Sequence, residues 1–356
     1  MIILLHQKYL GVLNMNDLYE YQEMLSSIAG KTIAVVYIFE GESAPGAKHY
    51  AVWQADVISS WLAAIQELRC MPLILDVRTF VNKAMNCTLP HIDYVVNLNN
   101  GTENLSALGL IPSTCAFLNV PCIPCNSVAA LLGENKLLSN IVAHKIGLNV
   151  PTDLDDSNTN GINRPTNLGS SIGVSKGPKK ALSGLYQKFI PGFDMTTPLL
   201  FNPLQKSMEV LPPVMYYPDS SDPQWFLGAA EKETHSNYKK IIVKIDGQVK
   251  KHFVSMAKAC NINTFCRIDC RVACNTSDEM EELSKDLITF DKVFFIEINP
   301  MPTIAEGINF HTSLQGLQED AQFYYCIKEY RNTISNPTLT GFILSCAIIS
   351  HLIAKH

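Results

Sequence analysis

Two short stretches decide how this chain is read: Phe265-Cys-Arg-Ile-Asp-Cys-Arg-Val-Ala273 and Phe294-Phe-Ile-Glu-Ile-Asn-Pro300. Along a β-strand, successive side chains point to opposite faces. The first stretch therefore places Arg267 and Asp269 on one face and Cys266, Ile268 and Cys270 on the other. The second places Glu297 and Asn299 together, with Phe295 on their side and Phe294, Ile296 and Ile298 packing behind. If the two strands are neighbours, one patch carries two carboxylates, an amide and a guanidinium. Such oxygen ligands suit Mg²⁺ that also bridges nucleotide phosphates, and an Arg beside them can stabilise charge developing on a reacting oxygen. The competing reading is a charged solvent face with incidental pairing.

Upstream lies Asn167-Leu-Gly-Ser-Ser-Ile-Gly-Val-Ser-Lys176. Glycines flanking Ser170 and Ser171 let backbone N–H groups and hydroxyls turn toward one anion. Glycine-serine runs also serve as plain linkers, and no Gly-Lys-Ser/Thr follows at the spacing of a Walker A loop. Arg164, Lys176 and Lys188 nearby add weight to an anion-binding role.

Further upstream, Thr32-Ile-Ala-Val-Val-Tyr-Ile-Phe39 is a continuous run of the buried parallel-strand type. Helical spacing over Tyr50 to Leu68 and further strands at Met71 to Asp76 and Tyr94 to Leu98 make βαβ units. Asn126 to Leu148 reads as one helical segment and Asp153 to Asn163 as a polar connection. Strands follow at 238–244, 265–273 and 292–298, and Thr276-Ser-Asp-Glu279 opens an acidic helix with a capping box. The fold class is therefore α/β followed by α+β. The divisions are an N-terminal appendage at 1–30, an open parallel α/β unit at 31–130, a unit with the glycine-serine loop at 131–205, and a unit with the carboxylate patch at 206–356.

The chain has 356 residues, 47% of them apolar and 17% charged, which excludes wholesale disorder and fits two or three domains. Lys plus Arg number 28 against 33 Asp plus Glu, a net charge of −5, so nucleic acid is not expected as a partner. The eleven cysteines are an odd number and scattered, as expected of a reducing cytoplasm. Cys122-Ile-Pro-Cys125 has redox-motif spacing, but core packing is the better reading. Met1-Ile-Ile-Leu-Leu-His6 lacks the features of a signal peptide, and the apolar Leu339 to Ala354 is too short to span a bilayer, so no membrane partner is expected.

Asn163-Arg-Pro, Leu168-Gly-Ser-Ser-Ile-Gly-Val-Ser-Lys176, Arg267-Ile-Asp269 and Glu297-Ile-Asn-Pro-Met-Pro302, in this order, resemble the motifs of ATP-grasp ligases, most closely the D-alanine–D-alanine ligase group. The resemblance covers residues 31 to about 350. It implies a three-domain fold with nucleotide bound between two α+β domains, and ATP-dependent ligation through an acyl phosphate. It further implies that Lys136, Arg164 and Lys232 contact ATP phosphates, that Ser170 and Ser171 lie in the closing loop, and that Gln187 and Asp194 meet adenine and ribose. Asp269, Glu297 and Asn299 would hold two Mg²⁺ ions, replaceable by Mn²⁺, and Arg267, with Ser171, would serve catalysis. Glu42, Ser43 and Asn100 would face small amino-acid substrates, and a homodimer is compatible.

The departures bear on substrate. Pro45 stands where the family has the Glu that grips the first D-alanine's ammonium, Asn100 where it has a His, and Thr303 where it has a Gly, and 275–291 replaces a short turn. A donor other than D-alanine is expected. Two alternatives stay open: transfer of the acyl group to an acyl carrier protein thiol, or a non-catalytic nucleotide-binding protein.

Overall fold

A computed structural model describes residues 15–38, 55–99, 107–167, 169, 171–180, 184–318 and 322–354. The β-branched runs form strands β1 (Thr32–Tyr37), β2 (Met71–Asp76), β3 (Tyr94–Leu98) and β4 (Cys122–Ile123), all parallel, in the order β2-β1-β3-β4. Parallel neighbours need a crossover. Helices Ala55–Glu67, Val77–Met85 and Leu110–Phe117 supply them.

Asp76 ends β2 and caps the helix after it, accepting the Thr79 N–H at 3.0 Å. Burial would raise its pKa, but the hydrogen bonds from Thr79 and its neighbours outweigh that and lower it. A carboxylate depressed in the fold stabilises above its unfolded pKa, and this stabilisation is lost as pH falls through the folded value. Asp76→Ala should therefore cost about 1 kcal/mol in urea unfolding at pH 7. The gap to wild type should close in acid.

The segment expected to be one helix over 126–148 is two, Ser127–Glu134 and Lys136–Lys145. Asn135 makes the break: its backbone is extended, and its side chain caps the second helix by accepting the Leu138 N–H. Lys136 thereby starts a new helix.

Strands β5 (Gly161–Arg164), β6 (Ser175–Gly177) and β7 (Leu185–Lys188) form an antiparallel sheet in the order β6-β5-β7. A larger sheet contains β8 (Gly192–Asn202), β9 (Ser207–Val210), β10 (Val214–Pro218), β11 (Tyr238–Ile242), β13 (Phe265–Ala273) and β15 (Val293–Asn299). Its order is β11-β10-β8-β13-β15, with β9 also on β8. β12 (Lys244–Ile245) and β14 (Leu287–Ile288) pair in parallel beside it. The expected fold class is found.

β8 lies outside the strands expected from the sequence, and it contains Pro198, a residue type rare in central strands. Its carbonyl accepts from Leu211, on the side where β9 and β10 part, so the missing N–H interrupts neither ladder.

Helix Met15–Ser27, in the segment read as an appendage, buries Tyr21 and Leu25 in the largest core cluster. Trp61, Phe265, Phe310 and helix Leu339–Ala354, buried from Thr340 to Ser350, complete that core and join the parallel layer to the large sheet. Beneath the sheet's other face, Cys266, Ile268 and Cys270 pack on Phe253 and Met256 of helix Gly247–Ala259. Cys122 and Cys125 are buried free thiols, as core packing requires. Among the described residues no helix is long and apolar enough to cross a membrane.

Candidate active site

Residues directly opposite each other in antiparallel strands share a face. Arg267 lies opposite Asn299, and Asp269 opposite Glu297. Asp269 is also opposite Thr196, and Arg271 opposite Asp194. Asp194 in turn faces Tyr216 on β10, and Tyr216 faces Lys240 on β11. One face of the sheet thus collects all of these polar groups, and the two stretches that set the reading are neighbours.

The strict alternation expected over Phe294 to Pro300 does not hold. Glu297 pairs with Asp269, but the next residue of β13, Cys270, pairs with Phe295, so Ile296 is the extra residue of a β-bulge. Phe295 therefore turns into the core, fully buried, and Phe294 falls opposite Arg271, the reverse of the expectation. The bulge aims Ile296 at the cavity, and its carbonyl accepts from Arg164 Nη1 at 3.1 Å and Asn140 Nδ2 at 3.2 Å.

Arg267 grips Asp269 with two N–H groups at 2.9 and 2.7 Å, and the Thr196 hydroxyl donates to the same carboxylate at 2.5 Å. Burial works against the Arg267 charge, but Asp269 more than offsets this and its pKa is raised. Lys136 Nζ lies 3.1 Å from Glu297 Oε2. Burial would raise the Glu297 pKa, yet Lys136 and Lys232, then Arg267, hold it down at about 2. Burial lowers the Lys232 ammonium despite the nearby Glu297 and Asp269. Asn299 Oδ1 accepts the Met301 N–H at 2.9 Å.

These groups open onto a cavity of about 490 Å³. Its described lining carries Lys136, Arg164, Lys188, Lys232, Lys240, Arg267 and Arg271 against Glu134, Asp194, Asp269 and Glu297. Seven cations against four carboxylates, in a chain of net charge −5, make this a place for a polyanion.

Arg164 is buried, and burial pushes its pKa down to about 10. It donates to Gln187, whose amide donates to Asp153 at 3.1 Å; Gln187 lies behind Arg164 and is not part of the lining. Ser171 lines the cavity and donates to the Leu227 carbonyl at 2.8 Å. Lys176 donates to Gln224 at 3.0 Å and sits 3.8 Å over the Phe189 ring. The glycine-serine loop thus reaches the segment before helix Ala229–Thr234 on the far side of the cavity.

That segment is held by Arg271, which the sequence reading passed over although it shares the parity of Arg267 and Asp269. Its guanidinium donates to the carbonyls of Ile190, Gly192, Pro223 and Trp225 and pairs with Asp194 at 3.0 Å, while Asp194 accepts the Leu227 N–H at 2.7 Å. Tyr216, Lys240 and Asn309 also line the cavity and were missed, because no motif marks them. His235 lines it too, but His311 does not: it is buried and bonded to Thr340. Glu42, Ser43, Asn100 and Ser170 fall outside the described residues.

No protein-family model and no curated protein sequence matches the chain. Among solved structures it is similar to D-alanine–D-alanine ligase from Bacillus anthracis complexed with ATP, with a TM-score of 0.59, 12% identity, and coverage of 92% of this chain and 99% of that one. It is similar also to the VanG D-Ala:D-Ser ligase from Enterococcus faecalis, at 0.56, 15% identity, 85% and 99%. At such identities the likeness is one of fold, and the chain has the ATP-grasp fold of the D-alanine–D-alanine ligases.

Proposed function

We propose that this chain is an ATP-dependent carboxylate–amine ligase that works through an acyl phosphate. The observation that carries the proposal is the pairing of Asp269 with Glu297, beside Arg267 and Asn299, in a cavity with surplus positive charge. No three His, Cys, Asp or Glu side chains cluster for a metal among the described residues. A cation here would rest on Asp269, Glu297, the Asn299 amide and oxygens of the nucleotide, a hard-oxygen set that fits Mg²⁺. Bound there, Mg²⁺ would neutralise phosphate charge and polarise the γ-phosphoryl group.

Lys136, Arg164 and Lys232 draw in the phosphates, and Gln187 fixes the Arg164 fork. Ser170 and Ser171 close over them. Asp194 keeps the Leu227 segment against the nucleotide. The substrate carboxylate attacks the γ-phosphorus and ADP leaves. An amine then displaces phosphate, with Arg267 stabilising the oxyanion between the two events. Glu42, Ser43 and Asn100 face the amino-acid substrate, and Pro45 disfavours D-alanine as donor. In domain terms, 131–205 and 206–356 close on ATP from two sides while 31–130 bears the substrate loops; β8 belongs to the sheet of the last unit.

The test is ADP release over amino acids of both configurations, with hydroxylamine as surrogate acceptor. Acid-dependent ADP release and hydroxamate formation are expected. ATP binding with no ADP release from any acid would overturn the ligase reading in favour of a non-catalytic nucleotide-binding protein.

A further inference from the structure

Of the seven cations that line the cavity, Lys136, Arg267 and Arg271 pair with carboxylates and Arg164 and Lys232 are placed on the phosphates; Lys188 and Lys240 have neither among the described residues, and of these two Lys240 is the one that faces Tyr216. Its ammonium donates to the Gly307 carbonyl at 3.1 Å, and no described carboxylate pairs with it. It stands on β11 opposite Tyr216, exposed at the mouth of the cavity it lines. Crowding by the cavity wall, then the charge of Arg267, lowers its pKa, so the two cations feel each other across the same space.

Tyr216 adds a neutral donor. Its phenol oxygen accepts the Asn309 Nδ2–H at 2.6 Å, and Asn309 is 5% exposed, so the ring oxygen is held in place. The phenol's own proton has no partner among the described residues. Burial raises the Tyr216 pKa above the ordinary phenol value. A fixed hydroxyl donor and an ammonium directly opposite each other on adjacent strands are the components of a carboxylate subsite.

We infer that Lys240 and Tyr216 bind a carboxylate other than the one that reacts, so that the amino-acid substrate is dicarboxylic. The inference rests on the ligase reading and names its substrate class. The reacting carboxylate meets the Asp269–Glu297 face, while the second is held at the cavity mouth. An amide in place of that second carboxylate loses the charge-assisted bond, a difference worth tenfold or more in affinity.

Binding tests this separately from turnover. Calorimetry with a non-hydrolysable ATP analogue and Mg²⁺ present compares aspartate and glutamate, in both configurations, with asparagine and glutamine. At least one dicarboxylate should bind tenfold or more tighter than its amide. Lys240→Met should abolish that preference, and Tyr216→Phe, which removes only the hydroxyl, should reduce it severalfold. Affinity for the ATP analogue should stay within twofold of wild type in both variants.

Equal binding of acids and amides, failure of every dicarboxylate to bind, or a Lys240→Met variant that loses ATP affinity instead would each overturn the inference. Lys240-dependent dicarboxylate binding without ADP release would uphold the subsite and count against the ligase reading. ADP release from neutral amino acids, unaffected by Lys240→Met, would do the opposite.

Discussion

Glu297→Gln is expected to cut acid-dependent ADP release by a factor on the order of 10²–10³ while the protein stays folded. The substitution keeps the side chain's shape and removes its charge. Glu297 lies opposite Asp269 on the neighbouring strand and is held ionised by Lys136 and Lys232. Without it, Asp269 is the one carboxylate left of the facing pair, and Asp269 is already gripped by Arg267. Lys136 also loses the ion pair that aims its ammonium at the site. The loss should persist at raised Mg²⁺, since the amide cannot restore a full negative charge. A coupled ADP assay, with circular dichroism as the folding control, reads the result. Activity close to wild type at ordinary Mg²⁺ would remove Glu297 from the metal-binding set.

The second large effect is expected at Arg271, and it falls on stability. Arg271 is 4% exposed and ties four backbone carbonyls and the Asp194 carboxylate together. Arg271→Leu fills much of the same volume but leaves those carbonyls unpaired and Asp194 without its cation. Removing one partner of a buried ion pair typically costs about 3–5 kcal/mol, and a loss of that order is expected in urea unfolding. Arg271→Lys should recover part of the loss, because an ammonium keeps the charge but not the planar fork. ATP affinity should fall in both variants, since Asp194 positions the Leu227 segment. A change below about 1 kcal/mol for Arg271→Leu would show that solvent satisfies the freed groups and that the cluster is dispensable.

The amino-acid sequence determined the layer types and the two residue pairs from which the central patch of the site is built. Runs such as Tyr94-Val-Val-Asn-Leu98 announce buried parallel strands through composition alone, and β2, β3 and β13 occupy the expected residues. Arg267 with Asp269, and Glu297 with Asn299, pair up on sequence grounds alone because a strand's period of two is a local property; that the two pairs meet was decided by the pairing of β13 with β15. What stayed hidden depended on partners distant in sequence. β8 contains Pro198, and only the parting of β9 and β10 gives its missing N–H a harmless place.

The Ile296 bulge exists only in the pairing of β15 with β13, where one extra residue reversed the faces of Phe294 and Phe295. Asn135 ended one helix and capped the next, a choice that an unbroken apolar pattern does not reveal. Tyr216 and Lys240 became site residues through cross-strand register alone. Local periodicity says which side of its own strand a residue takes, but not which strand lies alongside. That second choice is made by the packing of elements far apart in the chain, and it completed the cavity.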